Sequence, residues 1–362
     1  MPIHFDKDRW AQVRENYVRW WKNELNRPIV ALTIFDEYPD REQPSAPCLS
    51  QQSCADFSFS PDELIDRLDY ELSALTFLGD SFPMVNLSCF GPGVEAAFLG
   101  AKLDNSRGAV WFYPPDNAPA DISELHFEYD PNNRWFCRIK DICAAAVKRW
   151  KGNVLVGMPD VGMGLDLLAS FRTTEQLLFD LVDSPNEVKR LLGELNGLWM
   201  KYYVEIDAVM QPYSPGYTDW AGIYSDKPFY TLQSDFSYMI GTPMFNEFTR
   251  PTIERLCQTL TRSVYHLDGI SQLPHLDSLL AIKELDGVQW VPGDGRPDMR
   301  HWPEVYKKIH AAGKKIQIFG GLDTLDAVGA QIGDFSCICV KSDLGWCPDA
   351  GDVIRRLKEY GL

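Results

Sequence analysis

The chain has 362 residues, of which 45% are hydrophobic and 24% charged, so it has ample apolar content for a large packed core without disulfide staples. Its 51 acidic against 35 basic side chains leave a formal charge of −16, and no basic cluster stands out, which argues against a nucleic-acid partner. No apolar run approaches the roughly 20 residues that cross a bilayer, and the charged, Trp-rich opening does not read as a signal peptide. The nine Cys show no repeated spacing, so the expectation is a cytoplasmic protein with reduced thiols and no membrane partner.

From Asp6 to Asn26, apolar residues recur at Trp10, Val13, Tyr17, Trp20, Trp21 and Leu25, which is helical spacing ended by Pro28. A strand-like run from Pro28 to Phe35 follows, then a polar loop from Asp36 to Ser60. Ser60-Pro61-Asp62-Glu63 reads as a helix start with a capping box.

From about residue 82, short apolar runs alternate with amphipathic helices. The runs are 82–87, 153–158, 216–223, 230–233, 263–267, 287–291, 315–319 and 336–340. The helices between them include 173–182, 185–207, 243–261, 273–284, 302–312 and 352–360. Such βα units imply a parallel sheet, and eight of them match an α/β fold of the (β/α)8 TIM-barrel type. Residues 1–80 would then be an N-terminal helix-and-strand extension, and 81–362 the barrel. Residues 101–133 read as a long excursion, with a short edge strand at 127–129. An open doubly wound sheet is the competitor, but Gly91-Pro92-Gly93 is too short for a dinucleotide fingerprint.

In a barrel, chemistry gathers at the C-terminal strand ends. Those ends carry Asn86, Asp160, Asp219, Gln233 with Asp235, His266 with Asp268, Trp290, Gly320, and Lys341 with Asp343. His266 and Asp268 are two apart on one strand, hence on one face, and form half of a metal site or a hydrogen-bonded pair closing the barrel top. Cys347, in the Gly/Pro loop before the last helix, is the attractive third ligand. Asp235, closing the run 230–233, is a candidate metal ligand, general base or substrate anchor, or else a strand-end hydrogen bond and cap for a short helix. Asn86, Asp160, Gln233, Tyr265 and Trp290 are candidate substrate contacts; Trp290, ahead of a Gly-rich turn, either lines a pocket for a planar or methylated ligand or plugs the barrel. No Gly-x-Ser-x-Gly elbow, P-loop or His-Glu-x-x-His is present.

Gly157-Met-Pro-Asp160, Thr173 to Asp180 with Asp183-Ser-Pro185, Thr242 to Phe248 with Pro251, Val264-Tyr-His-Leu-Asp-Gly269, Gly313-Lys-Lys315 and Gly320-Gly-Leu-Asp323 follow one another in an order that resembles the uroporphyrinogen decarboxylase superfamily. The resemblance covers about 150–362. True decarboxylases of that family hold a polycarboxylate on an Arg-rich segment. Here the corresponding stretch, Ile29 to Tyr38, has no Arg or Gly, which argues against that activity. The other branch comprises zinc-dependent, corrinoid-linked methyltransferases with a His-x-Cys and a distal Cys. By resemblance, His266 takes the His place and Cys347 the distal Cys place, while Asp268 stands where the first Cys would be. The resemblance thus implies one zinc per chain on His266, Asp268 and Cys347, a small methylated substrate or thiol, and a corrinoid carried by a separate protein. Dimeric relatives make a homodimer an option. Two alternatives stand beside this: a metal-independent lyase or hydrolase using Asp235 and His266, and a non-catalytic small-molecule binder.

Overall fold

The computed structural model describes residues 3–362. Asp6 caps the first helix, Lys7–Trp21, by accepting a hydrogen bond from the Arg9 amide at 2.8 Å. The face bearing Trp10, Val13, Tyr17 and Trp20 is buried. The capping box forms at Pro61–Leu72: the Ser60 hydroxyl accepts from the Glu63 amide, and the Glu63 carboxylate accepts from the Ser60 amide.

The strands in chain order are β1 (Ile29–Phe35), β2 (Leu75–Gly79), β3 (Met84–Val85), β4 (Lys102–Asp104), β5 (Trp111–Tyr113), β6 (Leu155–Val156), β7 (Phe229–Gln233), β8 (Arg262–Asp268), β9 (Gly287–Val291), β10 (Lys315–Phe319) and β11 (Ile338–Trp346). Seven of them form one sheet in the order β2-β1-β11-β10-β9-β8-β7. All its pairings are parallel except β1 with β2. The fold is therefore α/β with a mostly parallel central sheet. β3 and β6 make a separate parallel pair, and β4 and β5 an antiparallel hairpin inside the 101–133 excursion.

Three differences from the sequence reading have local causes. Ile29–Phe35, assigned to an N-terminal extension, lies inside the sheet between β2 and β11, because its run of six apolar side chains and Thr33 suits burial on both faces. Residues 216–223 form no strand. They contribute single bridge pairings, Met158 with Asp219 and Tyr217 with Ser225, and the Asp219 carboxylate replaces a ladder bond by accepting from the Thr231 amide. The pairings consequently do not close the sheet. Residues 127–129 are not a strand: the Phe127 amide donates to the Glu194 carboxylate at 3.1 Å, and the Tyr129 hydroxyl to Glu205.

Helices cover the sheet, among them Arg134–Trp150, Gly164–Arg172, Pro185–Met210, Arg250–Thr259, Pro303–Ala311 and Leu322–Ile332. Asp80, fully buried after β2, ties the first helix to the sheet. It takes both Arg27 guanidinium nitrogens at 2.7 and 2.9 Å, the Asn16 amide at 2.8 Å and the Val30 backbone N–H at 3.1 Å. No helix among the described residues is long and apolar enough to cross a membrane.

Candidate functional site

Side chains alternate along a strand, and those of register partners point the same way. His266 pairs with Gln289, and Gln289 with Gln317, so three polar side chains stand in a row across β8, β9 and β10. The hydrogen bonds along this row fix a tautomer. Gln317 Nε2 donates to the Ala221 carbonyl at 3.0 Å, which can only accept. Gln317 Oε1 is thereby left to accept from Gln289 Nε2 at 2.6 Å, and Gln289 Oε1 to accept from His266 Nδ1. His266 therefore carries its proton on Nδ1 and presents Nε2 outward.

Nε2 lies 3.9 Å from an Asp268 carboxylate oxygen. Asp235, just past β7, completes a group: Asp235, His266 and Asp268 each offer a ligand atom within 4.8 Å of the others. Gly269 lets the chain turn away directly after Asp268. It has φ +83°, and a Cβ there would stand 2.7 Å from the Tyr238 ring. Trp220, on the 216–223 segment, packs edge-on against the imidazole with centroids 5.2 Å apart.

Behind Asp235 lies a buried carboxylate layer. Asp166, in the first turn of Gly164–Arg172, accepts from the Asp235 and Phe236 amides at 2.9 and 2.7 Å and so sets the direction of the post-β7 turn. Burial, then the Asp235 charge, pushes the Asp166 carboxyl well above the usual range. Asp160 accepts from Gln233 Nε2 at 2.8 Å, and burial followed by the Asp235 charge raises it to about 7. Asp235 is itself raised, by burial first, with His266 opposing and Asp268 adding to the shift.

This layer opens into a cavity of about 450 Å³. Its walls include Gln233, Asp235, Phe236 and Met239 from the end of β7 and the turn after it, Asp166 from the helix Gly164–Arg172, and Trp111 and Phe112 from β5.

The structure brings together Asp235, His266 and Asp268, and sets Gln233 on the cavity wall with Asp160 hydrogen-bonded behind it. Cys347 is not gathered with them. β11 stays paired with β1 as far as Trp346, and Cys347 follows at the start of the last helix, where its carbonyl accepts from the Ala350 amide. Six residues beyond Lys341 carry it roughly 20 Å along the strand direction. Of the expected set, His266 and Asp268 are grouped in the structure, and the side chain that stands with them is Asp235, not Cys347. Tyr265 and Trp290 are corrected as substrate contacts. They alternate with the inward His266 and Gln289, face the helices and are fully buried, Tyr265 bonded to Gln272 and Trp290 packed on Trp302. Asn86 spends its amide on the Trp220 carbonyl at 3.0 Å, holding the ring that flanks His266.

Asp166, Gln289 and Gln317 were missed as site residues. For the two glutamines the signal was present: an amide in the middle of a run such as Lys-Ile-Gln-Ile-Phe has no place against a helix and must face a polar interior.

The donors fit a divalent metal: one imidazole with a free lone pair and a fixed second nitrogen, and two carboxylates. Without a thiolate the set is harder than His/Cys/Cys.

The fold is similar to that of a methyltransferase from Methanosarcina mazei, with a TM-score of 0.57 over 96% of this chain and 98% of that one, at 11% sequence identity. At that identity the likeness is one of fold alone. No family model and no curated protein matches the chain.

Proposed function

We propose that the chain is a methyl-transferring enzyme whose site is the Asp235–His266–Asp268 group and the cavity beside it. The observation that carries this is the amide row, which holds the imidazole with Nε2 turned toward two carboxylates at the strand ends of a methyltransferase-like fold. In this reading β3, β6 and residues 218–219 complete a barrel between β7 and β2.

Zinc would be held by His266 Nε2, Asp235 and Asp268, and when bound would supply Lewis acidity toward the heteroatom that loses its methyl group. Gln289 keeps the Nδ1 proton in place, so the imidazole turns a lone pair to the mouth. Asp160, titrating near neutrality, holds a proton close to the site. Trp111, Phe112 and Phe236 give the cavity an apolar wall on which a methyl-bearing group can pack. The methyl acceptor in this proposal is a corrinoid on a partner protein.

Two measurements test it together. Metal analysis of protein purified without chelator is expected to give one zinc per chain, lost in His266→Ala. Incubation of a methylated substrate with cob(I)alamin is expected to yield methylcobalamin with the native chain only. Protein that neither carries zinc nor gains it on titration would sink the metal-assisted mechanism. The raised Asp160 and Asp235 carboxyls would then favour acid–base lyase chemistry with His266.

A further inference from the structure

Lys341 lies two residues past Cys339, the register partner of Gln317, so it faces the same interior as the amide row. Its amine is poorly matched there. Nζ reaches the Ala221 carbonyl at 3.4 Å, which already accepts from Gln317 at 3.0 Å, and the Met84 thioether at 3.7 Å. These are its only polar contacts among the described residues, and neither is a carboxylate. Asp219 acts on it only from a distance, because its oxygens are held by the Ala221 amide at 2.9 Å and by the Thr231 amide. Gly222, at φ +74°, makes the space for Nζ: a Cβ there would overlap it.

Lys341 lines a second cavity, of about 150 Å³, between β1, β2, β3 and β11. Leu72, Leu75, Phe77, Phe82 and Met84 make its wall apolar, and its other polar side chains are the Thr33 and Ser81 hydroxyls. Thr33, Phe77 and Met84 are half-buried, which leaves a way in from solvent. Burial holds the amine back from charging, with Asp219, Cys339 and Asp343, the titratable groups around it, opposing. The Cys339 thiol is itself pushed up to about 12 by burial and keeps its proton. A neutral lysine in an apolar cavity is a nucleophile whose natural guest is an electrophilic carbonyl. An anion would meet Asp219, Asp343 and the 16 excess negative charges of the chain, and a cation would meet the lysine.

We propose that Lys341 is a Schiff-base-forming amine whose cavity takes a small apolar aldehyde or ketone. The neutral amine adds to the carbonyl carbon while a proton passes from nitrogen to the carbonyl oxygen, giving a carbinolamine. The C–O bond then breaks, the second N–H proton leaves with the oxygen as water, and the C=N bond forms. One amine and one carbonyl thus give one imine and one water. Thr33 and Ser81 are the hydroxyls of the wall that can hydrogen-bond the carbinolamine oxygen, and the volume suits a short-chain carbonyl compound. This site is independent of the Asp235–His266–Asp268 group and of the transfer proposed there, with Gln289 and Gln317 standing between the two.

The full native chain is treated near neutral pH with limiting butanal and sodium cyanoborohydride, which reduces an imine to a stable secondary amine, and peptide mapping quantifies each modified lysine. Lys341 is expected to react at least about tenfold faster than Lys148, whose side chain is 78% exposed, since lowering an amine by one pH unit gives about ten times more neutral nitrogen. Its rate is expected to level off at a lower pH than that of Lys148. Gly222→Ala, which pushes Nζ aside, is expected to slow Lys341 about tenfold while the circular dichroism spectrum and Lys148 labelling stay unchanged. Labelling of Lys341 no faster than that of Lys148 in the native chain overturns the proposal. So does butyrate that binds the native chain but not Lys341→Met while butanal leaves Lys341 unmodified, which would mark an anion site.

Discussion

Glu95 opens the short helix Glu95–Phe98, is 0% exposed, and has no hydrogen-bond partner on either carboxylate oxygen. Burial alone pushes its carboxyl well above the ordinary value of 4.5. Because the folded state holds this proton more tightly than the unfolded chain, the folded state is favoured below the ordinary value and loses ground as pH rises through the window above it. The loss accrues at up to about 1.4 kcal/mol per pH unit, so between about pH 4.5 and pH 7 it reaches at most roughly 3.5 kcal/mol. Glu95→Gln keeps the shape and removes the titration. The variant is expected to match the native chain within about 1 kcal/mol near pH 5 and to exceed it by a margin that widens toward pH 8. Urea unfolding of both proteins at pH 5, 6, 7 and 8 measures that margin directly, since the other shifted carboxyls contribute equally to each. A difference that stays constant across the series would show that Glu95 keeps no proton on folding and would refute the reasoning.

Gln289→Leu removes the acceptor for His266 Nδ1–H, and zinc affinity is expected to fall about 10–100-fold with the fold intact. Calorimetry with zinc reads it, and an unchanged constant would mean the amide row does not orient the ligand. Cys347→Ala, by contrast, is expected to leave zinc affinity within about twofold of native, because β11 carries that thiol away from the group; a loss as large as that of His266→Ala would restore Cys347 as a ligand. Asp80→Ala strands the Arg27 guanidinium and is expected to cost about 3–5 kcal/mol in chemical unfolding, whereas a cost under about 1 kcal/mol would mean the node is dispensable.

Local information went a long way in this chain. The Ser60–Glu63 box, the Asp6-capped first helix and the runs at 287–291 and 315–319 match their elements because caps and periodicity act within a few residues. His266 and Asp268 share a face because strand alternation is local too. The same alternation, applied strictly, turns Tyr265 and Trp290 toward the helices, and Gln289 and Gln317 toward the inside.

Other features depended on segments far apart in the chain. Asp235 joined His266 and Asp268 because β7 and β8 pair, and Asp166 fixed its approach from a helix about 70 residues upstream. Cys347 was drawn away by the pairing of β11 with β1, some 300 residues apart in sequence, and the cavity gained Trp111 and Phe112 from a hairpin whose own residues give no hint of where it docks. Hydrogen-bonding capacity and burial preference are properties of a residue and its near neighbours. Which carboxylate meets which imidazole depends on strand order and register, and those are set by packing the whole sheet against its helices.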